Sequence, residues 1–218
     1  DGIEVVKGGK TFFWSGKYHN DMNSRDTLAT ELNVLGDFSP KVPASHKEAP
    51  IVMLGNLQPQ VQLSVIEQMD VKPKLVILDT MNFWMDIALD ELKTTLKKYS
   101  LVTAAKKIHE MGPKYVVIKK GEHGALIFEG DKMFFAPALP LSDVFDPTGA
   151  GDTFAGGFAG YIAQAGDTSF ETMKTALIYG SCLASFTVEK FGTERLQSVT
   201  PEEIKERLHQ FKQLVQFD

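Results

Sequence analysis

Asp146-Pro147-Thr148-Gly149-Ala150-Gly151-Asp152-Thr153-Phe154 is the stretch that decides how the rest of the chain is read. Gly149, Ala150 and Gly151 carry little or no side chain, so nothing holds an approaching ligand away from the backbone. The loop enters a helix predicted to run to about residue 165. That places these residues at a helix N-terminus, where N–H groups without intrahelical partners and the helix dipole favour an anion. Asp152 falls in the first turn, where the same dipole stabilises its ionised form. An ionised carboxylate beside an oxyanion cradle can take the proton of a hydroxyl as that hydroxyl attacks phosphorus, while the cradle stabilises charge on the transferred group. An ordinary capped helix accounts for the same residues, since Asp at a helix start with Gly before it is common there.

Neither of the commoner phosphate signatures accompanies this loop. There is no Gly-x-x-x-x-Gly-Lys-Ser/Thr, and no Gly-x-Gly-x-x-Gly follows a strand near the start of the chain, which disfavours a P-loop ATPase and a simple nicotinamide dehydrogenase. Downstream, a second helix is predicted from about 169 to 189. A third starts at Thr200, with Pro201 in the first helical position and Glu203 completing a capping box. Upstream, residues 115–118 read as a buried strand, Gly121-Glu122-His123-Gly124 as a turn into a strand at 125–128, and Gly130-Asp131 as a turn into another at 133–136. This is an antiparallel edge.

Further upstream the pattern alternates strands with helices, the mark of an α/β fold. Residues 51–54 form a short apolar run, a helix opens at Pro59, and residues 75–78 form the next strand, ending at Asp79. A helix over roughly 86–98 and another over 101–111 then follow each other without a strand between, a break in rhythm at Lys98-Tyr99. Residues 3–35 are rich in β-formers and read as a hairpin around Gly8-Gly9. Within them, Leu28, Leu32 and Leu35 fit a helical stripe while Leu28, Thr30, Leu32 and Val34 fit one face of a strand. Strand is the adopted reading.

With 218 residues, 43% hydrophobic and 23% charged, the chain is neither disordered nor fibrous. A core of this size needs no disulfide or structural metal, and the single Cys182 can form no internal disulfide, so a cytoplasmic setting is expected. No run approaches the roughly 18 apolar residues of a membrane span, and Asp1-Gly2-Ile3-Glu4 does not open a secretory leader. Net charge is −5, from 23 basic and 28 acidic residues. The basic residues cluster only in the pairs Lys97-Lys98, Lys106-Lys107 and Lys119-Lys120, so neither a nucleic-acid nor a membrane partner is expected.

Residues 146–154, followed by Ala155-Gly156-Gly157-Phe158, resemble the C-terminal signature of the ribokinase-like carbohydrate kinases, the PfkB family. Residues 115–128, with Lys119-Lys120-Gly121-Glu122-His123-Gly124, resemble the strand, turn and strand that in the family lie against the nucleotide. The helix carrying Gly180, Ser181, Ala184 and Ser185 resembles the family's small-residue helix beneath the adenine. The resemblance covers the chain from residue 3 onward. It implies a ribokinase-like α/β fold, a central, mainly parallel sheet with helices on both faces plus a small β lid, with residues 1–38 as the lid and 39–218 as the kinase core. It also implies that Asp152 is the general base, that Gly149, Ala150 and Gly151 form the anion hole, and that Lys119, Gly121, Gly124, Thr148, Gly180 and Ser181 line the ATP site. Lys119 reads equally well as a surface lysine ending a strand. Mg²⁺ is expected to arrive on the ATP phosphates, because no dedicated carboxylate cage is identified.

Two family features are missing from the sequence. The family's N-terminal section, with a sugar-binding Asp and a Gly-Gly motif, does not precede residue 3, and a strand with an Asn-x-x-Glu motif is lacking near Lys98-Tyr99, where the alternation also breaks. The expectation is that the chain belongs to a longer protein. Substrate contacts are expected from Asn56, Asp79 and Asn82, which follow strands where open α/β sheets place ligands, and from Asp152. Phe12, Phe13, Trp14 and Tyr18 suit stacking on a sugar or base, packing, or a dimer face. His19 and Arg25, in the polar run at 19–26, suit a charged acceptor or a solvated loop. The expected activity is ATP-dependent phosphorylation of a sugar hydroxyl, with a nucleoside kinase and a nucleotide-binding module without turnover as rivals. A homodimer through the lid is the expected assembly.

Overall fold

The computed structural model describes residues 2–22, 24–80 and 100–216. The chain divides into two compact units, Asp1–Asp90 and Glu91–Asp218. The helix predicted over 86–98, Asn82 and the break at Lys98-Tyr99 lie outside the described residues.

In the first unit, β1 (Phe13–Tyr18) pairs antiparallel with β2 (Arg25–Glu31), with a register shift between Ser15 and Gly16. The hairpin turns at residues 19–24 and not at Gly8-Gly9. There His19 N–H donates to the Ser24 carbonyl (2.8 Å), and Asp21 accepts from both the N–H and the hydroxyl of Ser24 (3.0 and 2.8 Å). This Asx-type turn supplies locally the bonds a tight glycine turn would give. Gly8 does bend the chain, but the preceding Ile3 and Val5 are 90% and 84% exposed and pair with no strand. The ambiguous segment 25–35 takes the strand reading as far as Glu31, and the helical stripe of Leu28, Leu32 and Leu35 does not form. The strand ends at Glu31, and a 3-10 turn follows at Asn33–Asp37, where the Asn33 side chain takes the Thr11 carbonyl at 2.8 Å and closes the hairpin's base.

A βαβ unit follows: β3 (Ile51–Leu54), α1 (Pro59–Glu67) with Pro59 in its first turn, and β4 (Leu75–Leu78), the strands parallel and paired Ile51 to Leu75 through Leu54 to Leu78. The crossover helix is what lets two parallel strands lie side by side.

The second unit opens with α2 (Leu101–Glu110), capped by Ser100, whose hydroxyl accepts from Thr103 N–H at 3.3 Å. Its buried Ala105 packs on Val116 and Phe128 of a three-stranded antiparallel sheet, β5 (Val116–Lys119), β6 (Ala125–Glu129) and β7 (Lys132–Ala136). Lys106 and Lys107 sit on the exposed face of α2. The helices α3 (Ala150–Ala165), α4 (Phe170–Thr187) and α5 (Pro201–Val215) complete the unit, and Thr200 and Glu203 form the expected capping box of α5. Cys182, Phe186 and Phe211 form the core between α4 and α5, and burial there pushes the Cys182 thiol up to about 11.

Two glycines let α3 and α4 approach closely. A Cβ on Gly180 would stand 2.7 Å from the Phe154 carbonyl oxygen, and one on Gly157 would stand 3.2 Å from the Tyr179 carbonyl oxygen. Gly160→Ala, at an exposed position of α3 with no neighbour within 4 Å, should raise stability by about 0.5–1 kcal/mol. Gly180→Ala should instead lower it by about 1–3 kcal/mol through overpacking, despite alanine's better helix propensity. Urea unfolding of both variants checks this, and a stabilised Gly180→Ala would show that the helices have room to spare.

Candidate active site

The glycine loop sits where α3 begins. Gly149 occupies the N-cap at φ 84° and ψ −5°, a left-handed conformation that glycine adopts without strain. The turn leading into it is closed by Asp146 Oδ1, which accepts from Thr148 N–H at 2.9 Å. Ala150 N–H donates to the Pro147 carbonyl (3.2 Å) and Thr153 N–H to the Gly149 carbonyl (2.9 Å), whereas the N–H groups of Gly149, Gly151 and Asp152 meet no backbone acceptor among the described residues. Gly151 and Asp152 are exposed, and no hydrogen bond or ion pair holds the Asp152 carboxylate among the described residues. Unmet donors at a helix N-terminus form an anion site. A cation adjoins them: Lys119 Nζ, at the end of β5, lies 3.6 Å from where a Cβ would stand on Gly151.

The loop is held from behind by the end of α4. Phe145 N–H and Asp146 N–H both donate to the Val188 carbonyl (2.8 and 3.4 Å), and the Thr187 hydroxyl donates to Thr153 Oγ1 (2.9 Å). The next residue, Glu189, accepts from Arg195 Nε (2.8 Å) and from Arg207 (2.7 Å), and Arg195 also bonds Glu203. Both guanidinium groups lie over the Phe186 ring, at 5.0 and 3.8 Å from its centroid. Neither Thr187 nor this network is marked in the sequence, because its members are separated by 6 to 34 positions and meet only in the fold.

The other expected nucleotide contacts are placed as follows. Gly121 and Gly124 bound the 3-10 turn between β5 and β6. At Gly124, φ is +79° and a Cβ would stand 2.2 Å from the Ala136 carbonyl oxygen, so the backbone there tolerates only glycine. Thr148 is exposed on the loop, while Gly180 and Ser181 are buried on α4, Gly180 against Phe154.

In the first unit, Asn56 and Asp79 both follow the C-terminal ends of the parallel strands β3 and β4. Asn56 Oδ1 is buried with no hydrogen-bond partner among the described residues. A third residue, Gln62, escaped the sequence reading. It is 5% exposed and bonds the carbonyls of Gly55 and Asp79, while its apolar neighbour Leu63 is 57% exposed. His19 and Arg25 are engaged inside the hairpin, His19 Nε2 with Asp26 at 3.0 Å and Arg25 over the Trp14 ring at 5.7 Å. Among the described residues no group of three or more His, Cys, Asp and Glu is placed to hold a metal ion, and no helix is long and apolar enough to cross a membrane.

The start of α3 thus presents backbone donors, a lysine and an exposed carboxylate side by side in an α/β chain. The sequence matches the pfkB family carbohydrate kinases over residues 83–210, more than half of the chain, and the chain belongs to that family. It is 30% identical over 186 residues to a cytidine kinase of Thermococcus kodakarensis, covering 73% of this chain and 64% of that protein, so it spans less than two thirds of that relative's length. The fold is ribokinase-like. The ribokinase of Giardia lamblia superposes with a TM-score of 0.76 at 17% identity, covering 95% of this chain and 74% of that one. The nucleoside kinase of Methanocaldococcus jannaschii superposes with a TM-score of 0.62 at 19% identity, covering 93% and 69%.

The ion network behind the loop carries a pH signature. Arg195, with Thr200 N–H, holds the Glu203 carboxyl down at about 2. Burial raises the Glu189 carboxyl, but the hydrogen bonds from Arg195 and Arg207 outweigh it and leave it below its usual value. A carboxyl with a depressed folded pKa adds stability above its unfolded pKa and loses that contribution as pH falls through the folded one. The thermal midpoint should therefore fall between pH 4.5 and about 2, and Glu203→Gln should flatten that part of the profile. Parallel profiles for the two proteins would show that the carboxylate is not held this way.

Proposed function

We propose that this protein is an ATP-dependent kinase that phosphorylates a sugar hydroxyl, with Asp152 as general base. The observation that carries the reading is the trio of N–H groups on Gly149, Gly151 and Asp152 without backbone acceptors among the described residues, beside the Lys119 ammonium. Asp152 accepts the proton of the acceptor hydroxyl, whose oxygen bonds to the γ-phosphorus as the bond to the β–γ bridging oxygen breaks and ADP leaves. The loop amides and Lys119 bear the charge on the transferred group. Gly121, Gly124 and Thr148 border the nucleotide, while Gly180 and Ser181 support it through the close α3–α4 crossing. Mg²⁺, where bound, would be held by the ATP phosphates and not by a carboxylate cage of the chain, and would offset part of their charge. Asn56, Asp79 and Asn82 supply acceptor contacts. On this reading residues 1–38 serve as the lid, residues 39–218 as the kinase core, and the exposed Phe12, Phe13 and Leu28 as the contact of a homodimer.

A nucleoside acceptor is the second reading, favoured by the 30% identity to a cytidine kinase across 73% of this chain. ADP release with D-ribose, D-fructose, adenosine and cytidine separates the two. Asp152→Asn should lower turnover by about 10²-fold or more while leaving ATP affinity nearly unchanged. Full activity in that variant would remove Asp152 from its role, and ATP binding without turnover on any acceptor would identify a nucleotide-binding module.

A further inference from the structure

The two loops that leave β3 and β4 are tied by one side chain. Gln62, on α1, donates one N–H of its carboxamide to the Gly55 carbonyl at 2.7 Å and the other to the Asp79 carbonyl at 3.1 Å. A backbone bond from Asp79 N–H to the Leu54 carbonyl (2.9 Å) closes the same end of the strand pair. Hydrophobic patterning alone would bury Leu63 and expose Gln62, yet Leu63 is 57% exposed and Gln62 5%. Burying an amide is costly unless its donors are satisfied, so a glutamine kept at this position has to be matched by its partners. Here both partners are carbonyls of the residues that bracket the candidate acceptor contacts. Gly55 precedes Asn56, whose Oδ1 is buried without a donor among the described residues, and Asp79 is itself one of those contacts.

We propose that Gln62 is a positioning residue for the acceptor site, its carboxamide setting the separation of the Asn56 and Asp79 loops. The inference rests on the kinase reading above. Removing the amide takes away the one side chain that bonds both carbonyls and lets the loops drift apart. A misplacement of about 1 Å in a positioning contact is enough to weaken a reaction by about 10²-fold. The effect falls on the acceptor and not on ATP, because the nucleotide contacts are assigned to the loop at α3 and the turn after β5.

The test uses the full chain as Gln62→Met, which keeps the length and removes both donors, as Gln62→Glu, which keeps the shape but has no N–H, and as Leu63→Ala, a control. Steady-state kinetics are measured with ATP and whichever of D-ribose, D-fructose, adenosine and cytidine the unmodified protein phosphorylates best. Both Gln62 variants should raise the acceptor KM about tenfold or more, leave the ATP KM within about twofold, and speed hydrogen exchange at residues 55–57 and 79–80. Leu63→Ala should move neither constant. An unchanged acceptor KM, a parallel rise in both constants, or failure of both Gln62 variants to fold while Leu63→Ala folds would assign Gln62 to stability alone and overturn the proposal. A wild-type protein that phosphorylates none of the four acceptors overturns the kinase reading itself, a result distinct from an active wild type with indifferent Gln62 variants.

Discussion

A helix cannot pair its own first N–H groups, and much of the second unit serves to leave that need unmet at the start of α3. Gly149, in the left-handed region, turns the chain so that its own N–H and those of Gly151 and Asp152 find no backbone acceptor among the described residues. The turn before it is closed internally by Asp146, which accepts from Thr148 N–H. Thr187 and Val188 hold the loop from α4, and Glu189 ties that end of α4 to Arg195 and Arg207. The glycines at the α3–α4 crossing bring the two helices close enough for these contacts to form. Packing, charge and loop geometry thus share one consequence, an open set of donors beside Lys119.

Local chemistry was legible in the sequence wherever a feature is settled within a few residues. Thr200, Pro201 and Glu203 marked the start of α5, and the glycine loop marked the start of α3, because caps are made by neighbours in the chain. The antiparallel edge at β5 to β7 and the parallel strands β3 and β4 followed from short apolar runs between turn residues. The hairpin was placed on the wrong turn because Gly8-Gly9 is the stronger glycine signal, while the actual turn is built by the Asp21 side chain. In segment 25–35 the leucine spacing also fitted a helix, yet Leu28 lies in the strand and only a 3-10 turn follows at Asn33–Asp37.

Contacts between distant residues stayed hidden. Lys119 read equally as a surface lysine until β5 delivered it to Gly151, and Thr187 gave no sign before it met Thr153. Gln62 ran against the pattern, since a periodicity argument assigns the interior to the leucine beside it. In the first unit, as in the second, the polar groups of interest lie at the ends of elements and not on apolar faces. Among the described residues Asn56 keeps a buried oxygen without a donor, much as the loop keeps donors without backbone acceptors.

In the proposed function, the three backbone amides at the start of α3 take the phosphates of a nucleotide. The most direct test is a titration of the ¹⁵N-labelled protein with a non-hydrolysable ATP analogue and Mg²⁺, following the amide resonances of the loop. Saturable shifts are expected at Gly149, Gly151 and Asp152, with smaller ones at Thr148 and Thr153, whose N–H groups already have acceptors. Loop amides that stay in place at saturating nucleotide, while resonances elsewhere in the protein move, would contradict this reading.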